Sequence, residues 1–190
     1  MKSVALRRMS SKIVKSKMVE PLLATDKVNL SYPKYIMEDY LNPDQQDMTA
    51  FTDGTTGQSL TFKELHSHAY SFAHELKTNY KIGKGDCVAV FSPNHLNFHT
   101  VFLGIGLTDG FSMCINPLYT EEEAMYQTEI TKAKVMIAHP FCLKIASAVA
   151  AKLNIPVINM HAPMAEHGTE NLTSIHSMLN NDVNSLDLDS

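Results

Sequence analysis

Between Phe51 and Met160, short apolar runs alternate with longer segments whose apolar residues recur every three or four positions. No other feature narrows the fold as much. Asp86 to Phe91, Phe111 to Ile115, Lys134 to Ala138 and Pro156 to Met160 have the length and density of buried strands. The intervening segments have the period of helices: one after Thr61, one from His95 to about Thr108, one after Thr120 and one from Phe141 to Leu153. Strands joined through helices of ten or more residues pair in parallel by right-handed crossovers, which lay helices on both faces of the sheet. The expected class is α/β, a partial doubly wound, mostly parallel sheet with strands buried on both faces.

Local signals fix where the elements begin and end. Thr61-Phe62-Lys63-Glu64 and Thr120-Glu121-Glu122-Glu123 each place a threonine three residues before a glutamate, the capping box that opens a helix. After the first box, Phe62, Leu65, Ala69, Phe72, Ala73, Leu76 and Tyr80 line one helical face. Lys81 to Gly85 reads as a glycine-bracketed stop, and Gly110 as the end of the helix that Ser92-Pro93-Asn94 opens. Upstream, Phe51 to Asp53 and Gln58 to Leu60 flank the turn Gly54-Thr55-Thr56-Gly57 and predict a small hairpin. The expected organisation is a basic arm over 1–19, an irregular lead-in over 20–50 with a short helix around Lys34 to Leu41, the α/β portion over 51–160, and an irregular end over 161–190 where the rhythm is lost.

Charge is distributed unevenly. The arm over residues 1–19 carries Lys2, Arg7, Arg8, Lys12, Lys15 and Lys17 without an acid, so within a net charge of −4 it contributes +6 and the remainder −10. An acidic body offers no basic face to a phosphate backbone, which argues against nucleic acid as a partner. The arm is also rich in serine and sets Leu6, Met9 and Ile13 at helical spacing, as mitochondrial transit peptides do. A solvated basic tail on a cytoplasmic protein is the alternative. The C-terminal Asp187-Leu188-Asp189-Ser190 is not a peroxisomal Ser-Lys-Leu address. With 44% hydrophobic and 19% charged residues, the balance is that of a soluble globular protein. The most apolar stretch, Phe98 to Ile115, is interrupted by Thr108 and Asp109, so no membrane span is expected. Cys87, Cys114 and Cys142 lie in apolar segments without C-x-x-C spacing and read as buried, reduced thiols.

The block Lys81-Ile-Gly-Lys-Gly-Asp86-Cys-Val-Ala-Val90, then Ser92-Pro-Asn94, Phe102-Leu-Gly104 and Asn116-Pro-Leu-Tyr-Thr120 with Glu123 resembles the opening domain of adenylate-forming enzymes, the AMP-forming acid–CoA ligases of the acyl-CoA synthetase, 4-coumarate–CoA ligase and beetle luciferase type. The resemblance runs from about Phe51 to Met160. It implies a family reaction in which a carboxylic acid attacks the α-phosphate of MgATP, releasing pyrophosphate, after which the thiol of CoA displaces AMP. ATP, Mg and CoA are thus the cofactors of the full-length family. The matched motifs are scaffold. The resemblance also places the Ser/Thr-Gly-Thr-Thr-Gly-x-Pro-Lys-Gly phosphate loop, the ribose carboxylate and the mobile catalytic lysine downstream of the matched region. The chain is accordingly read as an N-terminal fragment that needs no cofactor of its own and is inactive alone.

Several local patterns compete with that reading. Asp53-Gly54-Thr55-Thr56-Gly57 resembles a phosphate loop, but Gln58-Ser59-Leu60-Thr61-Phe62 follows where Pro-Lys-Gly should stand, and a hairpin turn accounts for it better. His95 and His99 have the four-residue spacing of a zinc helix but lack an adjacent glutamate and a third ligand, so helix-surface histidines are expected. Glu121, Glu122 and Glu123 are read as first-turn acids that favour the helix dipole, and His66, His68 and His74 as solvated. No residue is therefore assigned as catalytic, cofactor-binding or metal-ligating. The alternatives are a non-catalytic interaction module that binds another chain, such as a full-length relative, through its exposed sheet edge or apolar face, and, least favoured, a small enzyme built on the Gly54 loop; exposed apolar surface would also let the isolated chain self-associate.

Overall fold

The computed structural model describes residues 31–161 and 172–179. The basic arm, and the parts of 20–50 and 161–190 beyond these limits, lie outside the described residues.

Five parallel strands form the central sheet: β3 (Cys87–Phe91), β4 (Phe111–Ile115), β5 (Val135–Ala138), β6 (Val157–Asn159) and β7 (Thr173–Ser174), in the order β4-β3-β5-β6-β7. A separate antiparallel hairpin joins β1 (Thr49–Thr52) to β2 (Ser59–Thr61). The helices are α1 (Tyr32–Met37), α2 (Phe62–Tyr80), α3 (Phe98–Leu107), α4 (Glu121–Thr131) and α5 (Leu143–Leu153). All five residues of β3 are buried, because alternate side chains enter two different cores. Val88 and Val90 face Phe72, Leu76, Val101 and Ile105 of α2 and α3, while Cys87, Ala89 and Phe91 face Ala124, Leu143, Ala146 and Val149 of α4 and α5. A third cluster packs Met37 of α1 against Leu65, Ala69 and Ala73 of α2 and Leu103 and Leu107 of α3. The doubly wound class, with helices on both faces, is the observed one.

Both capping boxes form. The Glu64 amide donates to Thr61 Oγ1 (3.2 Å) and the Glu64 carboxylate accepts from the Thr61 amide (2.8 Å). The same exchange joins Glu123 and Thr120 at 3.3 and 2.8 Å. Thr61→Ala and Thr120→Ala should each lower stability by about 1 kcal/mol in urea denaturation, and a loss below about 0.3 kcal/mol at both sites would contradict these helix starts.

Four expectations need correction. The helix expected from His95 begins instead at Phe98, because the Asn97 amide is taken by His95 Nδ1 (3.1 Å) and the Asn97 side chain reaches away to the Met160 carbonyl (3.2 Å) rather than capping upstream. The helix after Thr61 does stop at Lys81, as expected, but Lys81 itself holds the left-handed position (φ 55°), and the helix expected to run to Gly110 ends at Leu107 with Asp109, not glycine, at φ 60°. Gly85, at φ 79°, serves the turn into β3 instead. The short helix of the lead-in occupies Tyr32–Met37 rather than Lys34 to Leu41. Within the segment expected to be irregular, Thr173 and Ser174 pair with Ile158 and Asn159 as a fifth parallel strand, and a 3₁₀ turn, Ile175–Met178, buries Ile175 and Met178 in the first core.

Candidate functional site

In open α/β sheets, ligands collect outside the carboxyl ends of the strands, where the strand order reverses. Here that point lies between β3 and β5, whose chains leave the sheet toward α3 on one face and α5 on the other. The loops there carry His95 and His139, with ring centroids 5.4 Å apart. His161 follows β6 and His176 follows β7, so four imidazoles from four separate segments gather at one end of the sheet. His95, His161 and His176 border a cleft of about 360 Å³ that Asp53 and Thr56 of the hairpin turn, Asn97, and His68 of α2 also line.

Each of the four rings uses one nitrogen as an acceptor. His95 Nδ1 accepts from the Asn97 amide (3.1 Å), and His139 Nδ1 from the Phe141 amide (3.1 Å). With His95 Nδ1 engaged, its proton sits on Nε2, which donates to His161 Nδ1 at 3.3 Å. Asn97 Nδ2 donates to the Met160 carbonyl and to His176 Nε2 (3.4 Å). Backbone bonds hold the frame: Ser174 Oγ donates to the His161 carbonyl (2.7 Å) and accepts from the His176 amide (3.2 Å). Burial, with the facing imidazoles of His139 and His161, pushes His95 down to about 4 against the opposing pull of Asp53. Burial first, and His161 second, lower His139 and His176, and His68 adds to the effect on His176. Among the described residues no group of three or more His, Cys, Asp or Glu side chains is placed to share a metal ion.

The patterns singled out in the sequence separate in space. His95 precedes α3 while His99 lies on it, stacked on Phe51 with centroids 3.7 Å apart, so the pair does not share a helical face. His95 is half-buried in the cluster rather than on a helix surface. His66, His68 and His74 are half-buried, not solvated: His66 stacks on Tyr70 (4.6 Å) and burial lowers its pKa, and His74 Nε2 lies 3.4 Å from Thr78 Oγ1. Cys87 and Cys142 are buried, and burial pushes the Cys142 thiol up to about 11, whereas Cys114 is exposed on the terminal strand β4. Of the three glutamates, Glu123 completes the capping box and Glu121 pairs with Lys152 (2.6 Å).

The Gly54 turn is occupied by its own acid. Asp53 Oδ1 accepts from the amides of Thr55 and Thr56, both at 2.8 Å, and those bonds hold its carboxyl below the usual range. The Gly57 amide donates to the Asp53 carbonyl (2.9 Å) and the Asp53 amide to the Gln58 carbonyl (2.8 Å). A carboxylate in the centre of the turn takes the donors that a phosphate would need and repels its charge. The residues present do not fit a triphosphate.

His139, His161 and His176 belong to no sequence motif. A usable signal existed: His139 and His161 immediately follow the apolar runs that end at Ala138 and Met160.

The family model described as AMP-binding enzyme matches residues 41–184. The chain is 33% identical over 81 residues to a long-chain-fatty-acid–CoA ligase of Haemophilus influenzae, covering 43% of this chain and 14% of that protein. It is 34% identical over 88 residues to 4-coumarate–CoA ligase 3 of Arabidopsis thaliana, covering 45% of this chain and 15% of that protein. Among solved structures, a benzoate CoA ligase from Burkholderia xenovorans superposes with a TM-score of 0.67 at 17% identity, over 78% of this chain and 28% of that one. An anthranilate CoA ligase bound to anthranoyl-AMP gives 0.67 at 22% identity, over 78% and 27%. At such identities the structures establish the fold, and the chain spans about one seventh of the length of the two curated relatives. The family match, extending over more than half of the chain, places this protein in the AMP-binding enzyme family.

Proposed function

We propose that this chain is the N-terminal scaffold portion of an AMP-forming acid–CoA ligase and catalyses no adenylation alone. The observation that carries the reading is that residues 41–184 match the family while, among the described residues, the glycine-rich turn that resembles a phosphate loop is filled by Asp53. The relatives are ligases that join acids to CoA, and ATP, Mg and CoA are the cofactors proposed for the complete enzyme. No step of that reaction is assigned to the described residues, and none of them is proposed as catalytic, cofactor-binding or metal-ligating. The transcript beyond Ser190 tests this: a Ser/Thr-Gly-Thr-Thr-Gly-x-Pro-Lys-Gly loop in frame is expected, and a stop codon followed by no such loop would favour the second reading.

That second reading is a non-catalytic interaction module. Phe102 and Phe111 are 40% and 48% exposed, the latter on the terminal strand β4, and Leu118 after that strand is 80% exposed. Exposed apolar surface beside a sheet edge favours self-association.

The basic arm is proposed as a mitochondrial targeting segment, with a cytoplasmic location as the alternative; no helix among the described residues is long and apolar enough to cross a membrane. Residues 1–20 fused ahead of a fluorescent protein should bring it to mitochondria, and a diffuse cytosolic signal would contradict the assignment.

A further inference from the structure

We infer that the four histidines form a proton-sensitive latch: with neutral rings they hold β7 and the following 3₁₀ turn against the carboxyl ends of β3, β5 and β6, and protonation releases that segment. The argument rests on donors and acceptors. His95, His139, His161 and His176 each spend one ring nitrogen accepting an N–H, from the Asn97 amide, the Phe141 amide, His95 Nε2 and Asn97 Nδ2 respectively. A protonated imidazole has two donors and no acceptor. Any ring that gains a proton therefore turns an accepted bond into two opposed N–H groups, and adds a positive charge beside its neighbours.

The segment at risk has few other attachments. β7 contributes two residues to the sheet, paired only with Ile158 and Asn159 of β6. Ile175 and Met178 are its buried anchors in the first core. Asn97 spans the junction, since one amide group touches both the Met160 carbonyl and His176. Loss of the His95–His161 and Asn97–His176 bonds leaves the two-residue ladder, the Ser174 Oγ bond to the His161 carbonyl and the packing of Leu172, Ile175, Met178 and Leu179 to hold the segment.

The charges that face the cluster come from each packed element. The hairpin turn supplies Asp53, whose attraction favours protonation of His95; α2 supplies His68, which opposes a charge on His176 and itself lies near Glu64 of the capping box. The loops after β5 and β6 supply His139 and His161. Asp53 and Glu64 are held below their ordinary values by amide bonds, so neither titrates between pH 7.5 and 5. The sign follows. The folded state keeps His95, His139 and His176 below the ordinary value of about 6.5, chiefly by burial, and release of the segment exposes the rings and restores it. Release therefore takes up protons, and the latch is complete above about pH 6.5 and weakens as pH falls toward the folded value of about 4 at His95.

Hydrogen–deuterium exchange of the whole chain at pH 7.5 and 5.0, corrected for intrinsic rates, tests the latch. Protection over Thr173–Met178 should drop at least about tenfold at pH 5.0, the effect of one proton taken up per opening over a single pH unit, while that of Cys87–Phe91 is retained. In the double variant His161→Asn/His176→Gln, whose amide oxygens replace the accepting nitrogens without titrating, the difference between the two pH values should shrink at least about threefold. Unchanged protection of Thr173–Met178 in the wild-type chain would overturn the proposal. So would an undiminished pH response in the double variant, or loss of protection over Cys87–Phe91 in step with Thr173–Met178. If the variant does not fold, imidazole proton shifts of the wild-type chain decide: His95, His139 and His176 titrating at about 6.5 contradict the latch, and values displaced below support it.

Discussion

Phe72→Ala should destabilise the chain by about 4 kcal/mol and Gly104→Ala by about 2 kcal/mol, with the pair costing clearly less than their sum. Phe72 is fully buried in the first core, between the sheet and the crossing of α2 and α3. A Cβ on Gly104 would stand 2.7 Å from Phe72 Cδ1 and 3.0 Å from the Ala69 carbonyl oxygen. The methyl group therefore collides with a ring that cannot yield without disturbing Val88, Ile105 and Ile137 around it. Removing the ring leaves a cavity into which the methyl group fits. The clash with Ala69 is with backbone and persists, so relief is partial. Small domains are stable by about 5 to 15 kcal/mol, which makes either loss readable in urea denaturation. Additive effects within about 0.3 kcal/mol would mean that the helices do not cross where described.

The part of the fold that sequence reveals is the part whose causes are local. A capping box needs residues three apart, and both boxes, at Thr61 and Thr120, form as the spacing predicts. β3 and β5 are continuous apolar runs because both sheet faces are covered there, whereas the terminal β4 is largely exposed; β3 to β6 all fall within or at the expected runs. The misses have non-local causes. β7 is two residues long and owes its existence to strand partners fifteen positions upstream, Ile158 for Thr173 and Asn159 for Ser174, so no periodicity announces it. The start of α3 moved because Asn97 bonds to Met160, 63 positions downstream, while His95 folds over its amide. Cys114 is exposed because β4 is the terminal strand, and strand order is a property of the whole sheet.

The candidate site was the least legible part. Its rings come from positions 95, 139, 161 and 176, and only the topology brings the ends of four strands together. His139 and His161 are marked only by following apolar runs, and no spacing ties them to His95 and His176. The Gly54 turn shows the converse: its composition suggested a phosphate loop, and the hydrogen bonds to Asp53 supply a structural reason for its glycines and threonines.

The chain carries the AMP-binding family scaffold, and the proposal that it performs no adenylation alone rests on charge. Transition-state charge on a transferring phosphoryl group needs positioned donors, and removing even one such donor typically costs about a hundredfold or more in rate. The matched region contains no lysine following a glycine-rich loop, and the amides of its one loop-like turn are already bound to Asp53. The most direct measurement is acid-dependent exchange of labelled pyrophosphate into ATP by the purified chain, with long-chain fatty acids, 4-coumarate and benzoate as separate substrates. The account predicts no exchange above the rate without protein for any of them. Acid-dependent exchange that is abolished by Gly54→Pro and unaffected by removing residues 1–19 would contradict it, and would make the hairpin turn an active site.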